Sequence, residues 1–196
     1  MSYIIFGLGN PGVEYEKTRH NAGFLAVDAF AKKFGADEWK QDKKKKAEIA
    51  LGAVGKKKLA LVKPQTFMNR SGSSVSAFVK DKKAAEKIVV VHDDLDIPLG
   101  KFKISFGKSS GGHRGVESVI KALKTKDFVR VRIGISPVTA SGKIKKPSSE
   151  KVVDEFIVKD FKPSEADTIK KTIKKVVDAI EVVIAEGREK AMGEFN

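Results

Sequence analysis

The side chains best suited to acid–base chemistry are three histidines and a cluster of acids that follows an apolar run. His20 lies in a polar, glycine-rich segment, where a neutral imidazole can take a proton from water near neutral pH. Asp93 follows the apolar residues 88–91 and could fix the tautomer of His20 and stabilise its protonated form. Asp94 and Asp96 are alternatives, although alternation along an extended chain turns Asp94 away from Asp93. The sequence therefore predicts a His–Asp pair that activates water to hydrolyse an ester or an amide. The alternative for His20 is a structural histidine that caps the next helix.

Other chemistries have weaker support in the sequence. His92, Asp93, Asp94 and Asp96 could bind a metal ion, but no H-x-x-x-H or cysteine pair accompanies them. The chain has no cysteine, which excludes a thiol nucleophile, and no G-x-S-x-G segment indicates a serine nucleophile. Residues 7–12 spell G-x-G-x-x-G, but dinucleotide binding requires a helix to begin within that run, where Pro11 and Gly12 interrupt.

Charge points to a polyanionic partner. The 196 residues include 39 Lys and Arg against 25 Asp and Glu, a formal net charge of +14. Lysines that neutralise phosphates release counterions and drive association with nucleic acid. The alternative is a solvated lysine surface that serves solubility. The amino terminus has no basic targeting region and no apolar run is long enough to span a membrane, so we expect a cytoplasmic protein.

The pattern of apolar residues predicts one α/β domain over residues 1–196, with a twisted, mixed and partly parallel sheet flanked by helices in three layers. The predicted strands are 3–6, 47–54, 59–62, 88–91, 101–106 and 129–135, and the predicted helices are 24–34, 75–83, 116–123 and 164–187. The segment 136–151, rich in Ser, Lys, Gly and Pro, is predicted to be a mobile loop. Polar loops containing His20, Asn69 and Asp93 come after predicted strands, and ligands bind at the carboxyl ends of such strands. We expect these loops to converge on one site.

Five motifs in order make the chain resemble the bacterial-type peptidyl-tRNA hydrolases over essentially its whole length. These motifs are FGLGNPGVEYEKTRHNAG (6–23), KPQTFMNRSG (63–72), HDDLDIPLG (92–100), GGHRG (111–115) and RVRIGI (130–135). The resemblance implies an enzyme, acting without metal or cofactor, that cleaves the ester between a peptide and the 3′-terminal ribose of tRNA and so recycles peptidyl-tRNA. It also implies a monomer in the cytosol. Relatives of the same fold that bind RNA without hydrolysing it provide the alternative function.

The resemblance also implies roles for individual residues. His20 matches the catalytic base, Asp93 the supporting carboxylate, and Asn10 the amide that helps to discriminate blocked from free aminoacyl groups. A second set matches residues that contact the peptide or the tRNA: Tyr15, Phe67, Asn69, His113 and Arg114, with Lys103 and Arg132 near the tRNA 5′-phosphate.

The chain departs from the family pattern at two positions. Arg114 stands where the family usually has Asn, so a donor-only cation replaces an amide that can both donate and accept. Ser105 stands where a further basic residue is common. We expect these departures to affect substrate affinity and to leave His20 and Asp93 in place.

Overall fold

A computed structural model describes residues 3–139, 141–147 and 149–196. The described residues form seven strands and seven α-helices, with short 3₁₀ turns between them. The strands are β1 (Tyr3–Gly7), β2 (Lys40–Asp42), β3 (Ala47–Val54), β4 (Lys57–Pro64), β5 (Ile88–Pro98), β6 (Phe102–Phe106) and β7 (Val129–Ser136). The helices are α1 (Ala22–Lys33), α2 (Ser71–Val75), α3 (Lys82–Ala85), α4 (Arg114–Leu123), α5 (Glu150–Ile157), α6 (Ala166–Ala185) and α7 (Arg188–Phe195).

One mixed sheet joins all seven strands in the order β2-β3-β4-β1-β5-β7-β6. The central strand β1 runs parallel to both β4 and β5, and β5 runs parallel to β7. The β3–β4 hairpin and strand β6 add antiparallel neighbours on either side. The predicted mixed, partly parallel sheet is confirmed.

Apolar side chains alternate between the two faces of the sheet because successive residues of a strand point to opposite sides. Val89 and Val91 of β5 pack in one cluster with α1 and α6, whereas Val90 packs in the other with α4. Helices therefore cover both faces, as the three-layer prediction requires. Among the described residues, no helix is both long enough and apolar enough to cross a membrane.

Several predicted elements differ from the observed ones. Strand β5 continues to Pro98, so the predicted polar loop after residue 91 is still extended chain and pairs with β7 through Asp94. The predicted helix 75–83 is wrong: α2 ends at Val75, and Asp81 caps the separate short helix α3. The predicted helix 164–187 corresponds to α6, which is preceded by a 3₁₀ turn.

The region after β7 contains an element that the sequence analysis missed. Helix α5 begins in the predicted loop 136–151, and the Ser149 side chain accepts a hydrogen bond from Val152 N at its start. Residues 140 and 148 of that loop lie outside the described residues. Within the rest, Val138 and Ile144 form an isolated β-bridge. The mobility of the loop stays a prediction.

Candidate active site

His20 and Asp93 meet as predicted, although they lie 73 residues apart in the chain. His20 belongs to a 3₁₀ turn just before α1, and Asp93 lies within β5. His20 Nδ1 is 2.9 Å from Asp93 Oδ1 and 3.1 Å from Oδ2, and the two residues are 6% and 2% exposed. Because an ionised carboxylate only accepts hydrogen bonds, Nδ1 carries the proton and donates it. The opposite nitrogen, Nε2, is then a bare base, and His20 lines an open cavity.

Two glycines let helix α1 sit directly on the sheet at this point. A Cβ on Gly23, in the first turn of α1, would lie 2.3 Å from Val91 O, and one on Gly7 would lie 2.4 Å from Gly23 O. Such distances are far inside van der Waals contact, so only glycine permits this approach. The close packing brings the turn with His20 against the strand that carries Asp93.

Arg19 ties the same turn to the chain between α5 and α6. Its buried guanidinium donates to Lys159 O, Asp160 O and Glu165 Oε2, and it lies over the rings of Phe156 and Phe161. A buried guanidinium with a carboxylate partner and carbonyl acceptors is a stable anchor. The segment after α5 is therefore held to the turn that bears His20.

Asp93 accepts from a second histidine as well. His113 Nε2 lies 2.9 Å from Asp93 Oδ1, and Val116 N donates to His113 Nδ1 at 3.2 Å. Both ring nitrogens of His113 are thus engaged within the protein. Burial alone would raise the pKa of the Asp93 carboxyl, but the charges and N–H donors of His20 and His113 hold that pKa well below its usual range.

His92 is a third imidazole beside this pair and is completely buried. Its Nδ1 donates to Asp93 O at 2.6 Å, and its ring lies edge-on to His113 with centroids 4.6 Å apart. Burial lowers the pKa of His92 well below the usual value, and the charges of His113 and Arg130 act in the same direction. His92 therefore supports the backbone at Asp93 as a neutral side chain.

Asn10 presents an amide to the site in a fixed orientation. Its backbone N and O exchange hydrogen bonds with the Asn21 side chain, and its Oδ1 accepts from Met68 N at 2.9 Å. Because a backbone N–H needs an acceptor, the side-chain oxygen must face Met68. No hydrogen bond among the described residues uses Asn10 Nδ2, and Asn10 lines the cavity. The site therefore holds one oriented N–H donor near the His–Asp pair.

A cavity of about 460 Å³ opens in front of His20. Its wall contains seven of the ten predicted site residues: Asn10, His20, Phe67, Asn69, Asp93, His113 and Arg114. Phe67 is 60% exposed at the rim. The convergence predicted for the three polar loops is confirmed for these residues.

Three predicted residues lie outside the cavity wall. Tyr15 is half-buried in a 3₁₀ turn of the first loop. Lys103 and Arg132 are paired across strands β6 and β7, and Arg132 Nε donates to Asp94 Oδ2 at 2.8 Å. Asp93 and Asp94 thus have different partners, as the alternation along β5 predicts.

The cavity also has a wall that sequence reasoning missed. Helix α5 contributes apolar and acidic side chains: Glu150, Val153, Asp154 and Ile157. Arg114 bridges to this helix across the opening, with Nη2 2.6 Å from Glu150 Oε1 and 3.2 Å from Asp154 Oδ2. The signal for α5 was present, since Ser149 is a favoured N-cap and apolar residues follow at helical spacing.

The metal-ligand set that was considered as an alternative does not come together. His92 Nδ1 is bonded to a backbone carbonyl, Asp94 pairs with Arg132, and Asp96 pairs with Lys146. Among the described residues, the polar atoms that do converge are those of His20, Asp93 and His113. Both nitrogens that face Asp93 carry protons in hydrogen bonds, so an ion between them would have to displace both.

Comparison with known proteins leads to one family. The sequence profile of a family described as peptidyl-tRNA hydrolase matches residues 4–196. The peptidyl-tRNA hydrolase of Thermodesulfovibrio yellowstonii is 41% identical over 196 residues, covering 98% of this chain and 98% of the relative. The enzyme of that name from Carboxydothermus hydrogenoformans is 42% identical over 195 residues, covering 99% and 98%.

Solved structures show the same fold. The crystal structure of peptidyl-tRNA hydrolase from Acinetobacter baumannii superposes with a TM-score of 0.88 at 32% identity, covering 100% of this chain and 96% of that one. Sequence and fold therefore lead to the same assignment. The chain belongs to the peptidyl-tRNA hydrolase family.

Proposed function

We propose that this protein hydrolyses the ester between a peptide and the 3′-terminal ribose of tRNA. The observation that carries the proposal is the buried His20–Asp93 hydrogen bond, which leaves His20 Nε2 as a bare base at the wall of an open cavity. Family membership adds the substrate, because the relatives are named for action on peptidyl-tRNA.

The reaction begins with a water molecule held by His20 Nε2. As the water oxygen attacks the ester carbonyl carbon, Nε2 takes a proton from the water, and Asp93 stabilises the resulting imidazolium. The carbonyl π electrons move to oxygen, and we assign the donation to that oxyanion to Asn10 Nδ2, because Oδ1 of the same amide is held by Met68 N. When the intermediate collapses, the C–O bond to the ribose breaks and the imidazolium returns its proton to the 3′ oxygen. The products are a peptide acid and a tRNA with a free 3′ hydroxyl.

The cavity walls suit the two sides of this ester. The exposed ring of Phe67 offers a face on which a terminal base can stack, and the neighbouring Asn69 offers both a donor and an acceptor. Amides bind a peptide backbone without reading its side chains, so one site accepts peptides of many sequences. Val153 and Ile157 of α5 provide apolar wall on the same cavity.

Binding the tRNA body requires cationic side chains, and the net charge of +14 means that the chain carries them in excess. Lys103 and Arg132 are neighbours across β6 and β7 and support a contact with the 5′-phosphate. If lysines and arginines contact phosphates, the affinity for tRNA falls steeply as salt concentration rises. We infer further that the protein acts in the cytoplasm as a monomer and needs no metal.

The test is a turnover assay with two matched substrates, N-acetyl-aminoacyl-tRNA and the same aminoacyl-tRNA with a free amine. The proposal predicts release of the N-blocked amino acid and much slower hydrolysis of the free form. Saturable binding of the blocked substrate with no product would refute the enzymatic assignment.

A further inference from the structure

We propose that His113 is a positioning residue that sets the pH range of catalysis by sharing the Asp93 carboxylate with His20. This inference rests on the proposed function, because it concerns the base that activates water. It differs from a role for His113 in substrate binding, which the family resemblance suggested.

The hydrogen bonds of His113 leave no ring nitrogen for a substrate. Val116 N, in the first turn of α4, donates to Nδ1, so Nδ1 is unprotonated and Nε2 carries the proton. That Nε2–H points to Asp93 Oδ1, which also accepts from His20 Nδ1 at the same distance of 2.9 Å. The side chain of His113 is only 8% exposed. The helix terminus thus fixes one tautomer of His113, and that tautomer donates to the catalytic carboxylate.

The hydrogen bond from His113 to Asp93 has two opposite effects on catalysis. The donation by His113 holds the carboxylate in place, which orients His20. It also spreads the negative charge of Asp93 over two imidazoles, so Asp93 attracts the protonated form of His20 less strongly than an unshared carboxylate would. Without the donation by His113, the whole negative charge of Asp93 would act on His20.

Other charged groups lie around this cluster, and the hydrogen bonds and ion pairs described for them do not involve His113. On β5, Asp94 pairs with Arg132 of β7, and on α5 the acids Glu150 and Asp154 pair with Arg114 of α4. Two more groups near the cluster are His92, whose Nδ1 is bonded to a carbonyl, and Lys146, which pairs with Asp96. Arg130 is buried, which lowers its pKa to about 10, so it stays charged over the range of the assay.

Two substitutions separate the two hydrogen bonds of His113. In His113→Asn, the side-chain oxygen lies near the position of Nδ1 and still caps α4, since Asn is a favoured N-cap, but no donor reaches Asp93. In His113→Gln, the longer side chain places an N–H near the position of Nε2, and the cap is lost. His113→Asn therefore removes the donor to Asp93 and keeps the helix cap, whereas His113→Gln keeps the donor and removes the cap.

The experiment measures kcat/KM against pH for wild type, His113→Asn and His113→Gln, with N-acetyl-aminoacyl-tRNA as substrate and thermal unfolding as a second readout. We expect the acid limb of His113→Asn to move to higher pH by roughly 0.5–1 unit. We expect His113→Gln to keep the wild-type acid limb while it unfolds at a lower temperature. An unchanged acid limb in His113→Asn overturns the inference, as does an equal shift in both variants. Wild-type protein without turnover would instead refute the proposed function.

Discussion

The two polar atoms of the Asn10 side chain have different proposed roles, one in stability and one in catalysis, and substitutions of Asn10 can separate them. Its Oδ1 accepts from the backbone N–H of Met68 at 2.9 Å, whereas its Nδ2 has no hydrogen-bond partner among the described residues and Asn10 lines the cavity. In Asn10→Asp, one carboxylate oxygen still accepts from Met68 N. The other oxygen replaces the N–H donor with an acceptor, at the place where negative charge develops on the substrate.

The size of the effect follows from what each variant loses. Loss of one oxyanion donor costs about 10²–10³ in kcat, and Asn10→Asp should show at least that loss. Asn10→Ala should lose the same donor and also leave Met68 N–H buried without an acceptor, which costs about 1–3 kcal/mol of unfolding free energy. The aspartate variant should therefore be the more stable of the two while being no more active.

The assay combines single-turnover hydrolysis of N-acetyl-aminoacyl-tRNA with urea unfolding of both variants. Single turnover isolates the chemical step from product release. If Asn10→Asp keeps kcat within about tenfold of wild type, Asn10 Nδ2 does not donate to the transition state and the proposed oxyanion contact is wrong.

Three further predictions address the support of the site. Gly23→Ala would place a Cβ 2.3 Å from Val91 O, so α1 must shift away from the sheet; we expect loss of both stability and activity, measured by urea unfolding and turnover. The folded-state pKa of His92 lies below its unfolded value, so protons bind the unfolded chain preferentially and stability falls as pH drops below about 6.5. Between pH 7.5 and 5.5, wild type should lose more unfolding free energy than His92→Gln, by on the order of 1 kcal/mol, and equal losses would contradict this. Arg114→Asn removes two exposed ion pairs and should change the free energy of unfolding by less than about 1 kcal/mol. The same substitution should decrease the KM measured in the turnover assay, because an amide can both donate a hydrogen bond to the substrate and accept one from it.

The local patterns predicted six of the seven strands, all but β2, and the convergence of the polar loops. Strand β3 has the predicted bounds. His20 and Asp93 meet because β1, which leads into the loop of His20, runs parallel to β5, which carries Asp93. Alternation along β5 also predicted that Asp93 and Asp94 would serve different partners.

The misses have physical causes. Residues 92–98 are polar and contain a proline, which is typical of a loop, but pairing with β7 keeps them extended. Val75 was expected to begin a helix and instead ends α2. The spacing of apolar residues along the chain does not show where a helix packed on the sheet must end. The link between His113 and Asp93 joins the start of α4 to strand β5 across 20 residues of chain, and nothing in the spacing of single residues shows which nitrogen faces which carboxylate.

The central claim is that His20 activates water for ester hydrolysis, and His20→Ala tests it most directly. The measurement is turnover of N-acetyl-aminoacyl-tRNA by wild type and His20→Ala, with tRNA affinity and thermal unfolding measured on the same samples. We predict that His20→Ala loses ester cleavage while it stays folded at the assay temperature and keeps an affinity for tRNA close to wild type. Wild-type turnover by His20→Ala would contradict the account, as would saturable binding without product by both proteins.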